Sequence, residues 1–129
     1  MTQVSLDEFS HWLQEYGRAW QTGDPVAAAR LFSEEARYEE TPFDPPMVGR
    51  EAISRYWDEG ANRAQRDVRF DYQILAVRGK TGIAAWQASF IRIPSGIHVA
   101  LDGVLTAEFS EAGVCVRFRE WWHRHEDKN

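Results

Sequence analysis

The sequence has only one cysteine, no long apolar run and fewer basic than acidic residues. The single Cys115 excludes an internal disulfide framework and fits a reducing compartment. No apolar segment approaches the length of a membrane helix, and the N-terminus lacks the basic start and apolar core of a signal peptide. We therefore expect a soluble, cytoplasmic protein without a membrane partner. The net charge of −5 argues against nucleic acid as a partner, because phosphate binding needs clustered positive charge.

Aromatic residues, in contrast, are abundant: 6 Trp, 7 Phe and 4 Tyr make up 13% of the 129 residues. Large rings bury much area each, and they can also line a loosely filled cavity. The aromatic residues therefore indicate either a tryptophan-rich core or an apolar pocket. The length predicts one domain, residues 1–129, around one core.

Three helices are predicted, at about residues 6–22, 25–32 and 50–64. Ser5 and Glu8 have the spacing of a capping box before the first helix, and Gly23 ends it. Asp24 and Pro25 then form a cap and a first-turn proline for the second helix. One face of the first helix is apolar and consists of Phe9, Trp12, Leu13, Tyr16 and Trp20.

Five strands are predicted, at about residues 36–41, 67–78, 83–93, 97–109 and 114–124. Turn sequences separate the last four strands, which indicates an antiparallel meander. Because the helices come first and the meander follows, the fold class is α+β. We expect a strongly curved sheet with the helices across one of its faces.

Two adjacent glutamates, Glu39 and Glu40, end the first strand before a proline-rich loop. Neighbouring side chains of a strand point to opposite faces, so one glutamate faces outward and the other faces what the sheet encloses. Burial disfavours the charged form of a carboxyl group, and a second carboxylate nearby adds to the effect, which suits an acid or base catalyst. The alternative is an ordinary salt bridge between Glu40 and Arg50 or Arg55.

Strand alternation also predicts which side chains of the meander face the helices. The predicted inward set is Trp86, Ala88, Phe90, Leu105, Ala107, Phe109, Val114, Val116, Phe118, Glu120 and Trp122. Glu120 is predicted to be either an acid in the cavity or the ion-pair partner of an arginine near the sheet edge. Strict alternation points Asp102 outward, whereas a bulge at Gly103 would turn Asp102 and His98 inward. Cys115 falls on the outward face and is expected at the surface or in an interface.

Four short motifs follow one another along the chain: Tyr16-x-x-Ala19-Trp20-x-x-Gly23-Asp24, Leu31-Phe32-x-x-x-Ala36, Gly49-Arg50-x-Ala52-Ile53-x-x-Tyr56-Trp57 and Phe109-x-x-x-Gly113. In this order they resemble the nuclear transport factor 2-like superfamily. Its members include ketosteroid isomerases, scytalone dehydratase, limonene epoxide hydrolase and SnoaL-like cyclases. The resemblance covers nearly the whole chain and implies a cone-shaped α+β fold.

In the ketosteroid isomerases, a tyrosine of the first helix stabilises the developing enolate and an aspartate of the first strand is the base. The resemblance places Tyr16 and Glu40 at these positions and leaves Glu39 outside. A further aspartic acid of that family corresponds to Leu105, which weakens the case for steroid-type enolate chemistry. The residues expected to contact a ligand are Trp20, Phe43, Met47, Tyr56, Trp57, Trp86, Phe90, His98, Leu105, Phe118 and Trp122, with Phe43 and Met47 as gates on the loop.

Two functions are compatible with these residues. The first is a SnoaL-like, cofactor-free isomerase, dehydratase or cyclase for a small apolar oxygenated molecule. Glu40 would move the proton and Tyr16 would stabilise negative charge, with Glu120 and Asp102 as further catalytic candidates. The second is a non-catalytic module for ligand binding or dimerisation.

Neither a cofactor nor a metal is expected. No glycine-rich phosphate loop is present, and the alternating His123 and His125 have no third metal ligand nearby in sequence. A homodimer is expected through the outer face of the sheet, where Trp121 lies between arginines such as Arg119.

Overall fold

The structure, a computed structural model, describes residues 3–127. Within that range the helices are α1 (Leu6–Thr22), α2 (Pro25–Arg30) and α3 (Arg50–Trp57), and α3 continues as a π-helical turn, Asp58–Asn62. The strands are β1 (Phe32–Glu39), β2 (Met47–Val48), β3 (Gln65–Arg78), β4 (Thr81–Arg92), β5 (His98–Phe109) and β6 (Cys115–Asp127).

Side-chain caps fix the helix ends that the sequence indicates. The Glu8 backbone N–H donates to Ser5 Oγ and the Ser5 N–H donates to Glu8 Oε1, each over 3.0 Å, which completes the capping box. Gly23 follows α1 in the left-handed conformation, with φ of 65°. The Asp24 carboxylate then accepts from the Ala27 N–H at 3.0 Å and starts α2.

All six strands form one open sheet in the order β2-β1-β6-β5-β4-β3. The strands β3 to β6 are an antiparallel meander, β1 runs parallel to β6, and β2 pairs antiparallel with β1 at the edge. The α+β class is therefore confirmed, with a curved sheet and the helices on its concave face.

The first strand begins earlier than the sequence pattern predicts. Phe32 pairs with Cys115, and the Cys115 N–H donates to the Leu31 carbonyl at 2.9 Å, so β6 draws this segment into the sheet. As a result α2 ends at Arg30, and the fully buried Phe32 belongs to β1. The two-residue β2 is too short to show alternation and was not predicted.

Close contact between α1 and the sheet positions the aromatic face of the helix. A Cβ at Gly82 would lie 2.4 Å from the Phe9 ring, and one at Gly17 would lie 2.7 Å from the Phe70 ring. Only glycine allows this approach without displacing the rings. Tyr16 is consequently buried deep in the cone.

A register shift overturns the prediction for Cys115. Glu108 pairs with Arg117 and Phe109 pairs with Cys115, which makes Val116 the extra residue of a bulge. The bulge reverses the alternation, so Cys115 is fully buried and its thiol donates to the Arg117 carbonyl at 3.3 Å. Burial raises the pKa of the Cys115 thiol far above its ordinary value, so the group is an inert core residue.

Candidate functional site

A cavity of about 250 Å³ lies between α1, α3 and the concave face of the sheet. Nine of the residues proposed from the sequence line it: Tyr16, Trp20, Glu40, Tyr56, Trp57, Trp86, Phe90, Glu120 and Trp122. Five strands and the helices α1 and α3 thus bring together aromatic walls and two carboxyl groups.

Other residues proposed as ligand contacts lie outside this lining. Phe43 is 94% exposed on the proline-rich loop, and Met47 packs from β2 against the edge of the core. Leu105 and Phe118 are fully buried behind the cavity wall, where Phe118 stacks on Tyr38 with ring centroids 4.6 Å apart. Leu105 and Phe118 thus support the wall from behind, and none of the four residues borders the cavity.

Asp102 and His98 are on the outer face of the sheet, so their alternative inward placement is wrong. The β4–β5 register runs without a shift through the pairs Trp86 with Gly103 and Gln87 with Asp102, and no bulge forms. Gly103 serves a packing role instead, because a Cβ there would lie 2.3 Å from the Trp121 carbonyl oxygen.

Glu39 and Glu40 face opposite sides of the sheet, as alternation predicts. Glu39 is outward, where Arg117 Nε lies 3.1 Å and Arg119 Nε lies 3.2 Å from its carboxylate. Glu40 borders the cavity. The alternative salt bridges of Glu40 do not form.

The two arginines proposed as partners of Glu40 have other contacts. The Arg50 Nε donates to the Phe32 carbonyl at 2.8 Å, and Arg50 also lies 4.0 Å from Glu34. Arg55 lies 3.6 Å from Glu51, one turn away on α3. Tyr56 also borders the cavity; burial is the main cause of its raised pKa, and the nearby Glu40 carboxyl group adds to it.

Glu120 is the acidic residue most strongly affected by the cavity. It lies on the inward face of β6, directly opposite Leu105, and is only 6% exposed. Burial, followed by the negative charge of Glu40, raises the pKa of Glu120 well above its ordinary value. No hydrogen bond or cation among residues 3–127 offsets this shift. The environment therefore favours the neutral form of this carboxyl group.

Three tyrosine hydroxyls surround the two carboxyl groups. The Tyr16 and Tyr38 hydroxyls form a hydrogen bond of 3.2 Å. Burial first, and the charge of Glu120 second, raises the pKa of Tyr16, Tyr38 and Tyr56, so all three keep their protons. A hydroxyl pair uses one of its two O–H groups internally, which leaves the other to donate to a carboxyl or ligand oxygen.

The indole N–H groups of the wall differ in their partners. Trp20 Nε1 donates to Gln65 Oε1 at 2.8 Å, which fixes that ring. Within the described residues, the buried Nε1 atoms of Trp57 and Trp86 have no hydrogen-bond partner. Buried donors are normally paired, so these two groups, on rings that line the cavity, are exceptions.

Sequence reasoning missed further residues of the lining, among them Tyr38, Gln65, Arg92, Leu101 and Arg124. Tyr38 has the same strand parity as Glu40, and Arg124 the same parity as Trp122. Extending the alternation by one step would have found both. Arg92 follows from Phe90 in the same way.

Residues 3–127 contain no group of three or more His, Cys, Asp or Glu side chains placed to hold a metal ion. None of the helices in this range is both long and apolar enough to cross a membrane.

The sequence matches the model of the SnoaL-like domain over residues 13–118, and the chain therefore belongs to the SnoaL-like family. No curated protein sequence matches it significantly.

Solved structures share the fold at low sequence identity. The epoxide hydrolase/cyclase-like enzyme SalBIII, which has a role in pyran ring formation in the polyether salinomycin, is 22% identical, with a TM-score of 0.78 over 91% of this chain and 92% of its own. The Δ5-3-ketosteroid isomerase from Mycobacterium sp. is 17% identical, with a TM-score of 0.79 over 93% and 98%. A computationally designed 17-OHP binder is also 17% identical, with a TM-score of 0.80 over 93% and 97%. These similarities support the cone-shaped fold.

The raised pKa of Glu120 makes stability depend on pH in a defined direction. A carboxyl group whose pKa is higher in the folded than in the unfolded state stabilises the fold below the unfolded value. That contribution is lost as pH rises through the folded value. We expect Glu120→Gln to be more stable than the wild type at neutral pH by about 1.4 kcal/mol for each pH unit between the unfolded-state pKa and the lower of the working pH and the folded-state pKa, with no difference in acid.

Urea denaturation over a pH series measures this difference in the free energy of unfolding. Glu108→Gln, a change on the exposed face of β5, is the matched control and should follow the wild type. Parallel curves for the wild type and Glu120→Gln would show that Glu120 is not perturbed by burial.

Proposed function

We propose that the protein is a cofactor-free acid–base enzyme for a small apolar molecule that contains oxygen. The observation that supports this proposal is the buried, cation-free carboxyl group of Glu120 in the same cavity as Glu40. One cavity would then hold two carboxyl groups, and burial favours the neutral form at Glu120. General acid–base catalysis needs such a pair, because one group gives a proton while the other takes one.

Four polar side chains of the cavity have a role in this proposal. The Glu40 carboxylate takes a proton from a carbon or hydroxyl group of the substrate, and Glu120 gives its proton to a substrate oxygen. Tyr16, paired with Tyr38, stabilises negative charge on that oxygen. One proton leaves the substrate and one enters it, so no external reactant is needed. Proton exchange with water restores the two carboxyl groups.

The position of Glu120 also bears on the acid that is missing at Leu105. The resemblance to ketosteroid isomerases expects an acid at position 105, where this chain has leucine. Leu105 and Glu120 are direct cross-strand partners on β5 and β6. We propose that the acid comes from the neighbouring strand at the same level of the cone.

The reaction class is an isomerisation, a dehydration or a cyclisation, since all three use the same proton transfers. The cavity volume of about 250 Å³ is below the usual range for drug-sized ligands, which restricts the substrate to a small compound. Aromatic walls favour an apolar ring system over a sugar or a nucleotide.

Ligand binding without turnover is the second candidate function. The aromatic lining of the cavity favours it, because an apolar molecule can fill such a space without any proton transfer.

Deuterium incorporation distinguishes the two functions. Small cyclic ketones such as α-tetralone, and epoxy alcohols of similar size, are incubated with the protein in deuterium oxide. We expect the wild type to accelerate exchange beside a carbonyl group or ring closure of an epoxy alcohol. Glu40→Gln should slow the reaction by about a hundredfold or more, because the base is lost. NMR spectroscopy of the probes measures both rates.

Glu35→Gln, a change at an exposed position of β1, the strand that precedes Glu40, serves as the control and should keep full activity. If calorimetry shows that the probes bind while none of them reacts faster than with Glu40→Gln, the enzyme proposal fails and ligand binding remains.

We further propose a homodimer through the outer face of the sheet. Val104 and Trp121 are cross-strand neighbours there, and both are exposed apolar residues. The Arg119 guanidinium lies 4.8 Å from the Trp121 ring centroid, a pairing that interfaces favour.

Light scattering coupled to size-exclusion chromatography should therefore give twice the mass of the chain. Trp121→Glu should give a monomer, because it places a charge in the apolar contact. Phe43→Ser removes a more exposed ring from the loop and should leave the dimer intact. A monomeric wild type would exclude this interface.

A further inference from the structure

Two arginines at the mouth of the cavity share a single carboxylate. Arg92, on β4, and Arg124, on β6, both line the cavity. Arg92 Nη2 lies 2.8 Å from Glu126 Oε1, and Arg124 Nε lies 3.5 Å from the same oxygen. Two guanidinium groups therefore face one negative charge, which leaves one positive charge at the mouth without a counter-charge from Glu126.

The other charged groups near the cavity do not cancel this excess. Glu40 directly follows β1, and two strands, β6 and β5, separate β1 from the β4 strand of Arg92. Glu120 is the group favoured as a neutral acid. Asp58, in the π-helical turn beside the cavity, forms an ion pair of 2.7 Å with Arg63. Arg124 is on β6, next to β1, but the pairing of Glu39 with Arg119 sets Glu40 level with Glu120. Glu120 and Arg124 are four residues apart on β6, a distance of about 13 Å along an extended strand.

The two guanidinium groups can reach a ligand without unfolding the wall. The Arg92 side chain is 37% exposed and the Arg124 side chain 50%, while both residues also border the cavity. Arg92 is held over the Phe90 ring, with 5.9 Å between its guanidinium carbon and the ring centroid. Arg124 makes the longer contact to Glu126, so its planar fork of donors is the group best placed to bind a carboxylate.

We infer that the mouth binds an anionic group, and that the ligand is an apolar molecule bearing a carboxylate. The inference rests on the proposed function, because it uses the same cavity as the binding site. The apolar part lies against Trp57 and Trp86, with its oxygen toward Glu120, and the carboxylate lies at Arg124. The arginines orient the molecule, and the acid and base act at its other end.

A matched pair of probes tests this inference. Naphthylacetate and naphthylethanol have the same aromatic ring system. The first bears a carboxylate where the second bears a hydroxyl group. Isothermal titration calorimetry with the wild type should show roughly tenfold to hundredfold tighter binding of naphthylacetate, as expected for hydrogen bonds to a charged group. The preference should shrink as salt is added.

Arg124→Gln should remove the preference while naphthylethanol binds as before, and Arg124→Lys should keep part of it. Arg78→Gln makes the same change in net charge at the far end of β3 and should leave the preference intact. Equal affinities for both probes, or an equal loss of both in Arg124→Gln, would overturn the inference.

These outcomes are separate from the test of the proposed function. If naphthylacetate is preferred but no probe reacts in deuterium oxide, the anion site stands and the enzyme fails. If the ketone reacts through Glu40 but the carboxylate has no advantage, the enzyme stands and the anion site fails. If neither naphthyl probe binds, the cavity is no site for such ligands, and the inference fails.

Discussion

The aromatic face of α1 packs into the concave side of the sheet, and the whole candidate site depends on this contact. Gly17 and Gly82 let the helix approach closely enough to bury Tyr16 between the sheet and α3. The same packing excludes water from Glu120, and this desolvation is the main reason for its raised pKa. Burial therefore creates both the shape of the cavity and the chemistry of its acid.

The two faces of the sheet differ in whether arginines accompany their glutamates. On the outer face, Arg117 and Arg119 contact the carboxylate of Glu39. On the inner face, Glu120 has no cation among the described residues, although these arginines are its near neighbours in sequence. A cation beside Glu120 would stabilise its charged form and lower its pKa. Alternation along β6 thus keeps the acid neutral while its neighbours are paired outside.

Sequence periodicity predicted the class, the helix caps and most of the cavity wall, because these follow from local spacing. It succeeded wherever the strand register is unbroken, as at Glu40 and Trp86. It failed at Cys115, because the bulge at Val116 depends on pairing with β5 and leaves no mark in local composition. For Asp102 it left both faces open, and the continuous β4–β5 register decides for the outer one. The arginine pair at the mouth depends on strands distant in sequence.

The protonation state of Glu120 is the central claim, and carbon-13 NMR of side-chain carboxyl groups tests it most directly. The Glu120 resonance is assigned by its loss in Glu120→Gln and followed over a pH titration. The account predicts a pKa for Glu120 well above the ordinary glutamate range. In Glu40→Gln this pKa should fall but stay raised, because burial remains after the like charge is removed. A Glu120 resonance that titrates in the ordinary glutamate range would contradict the account.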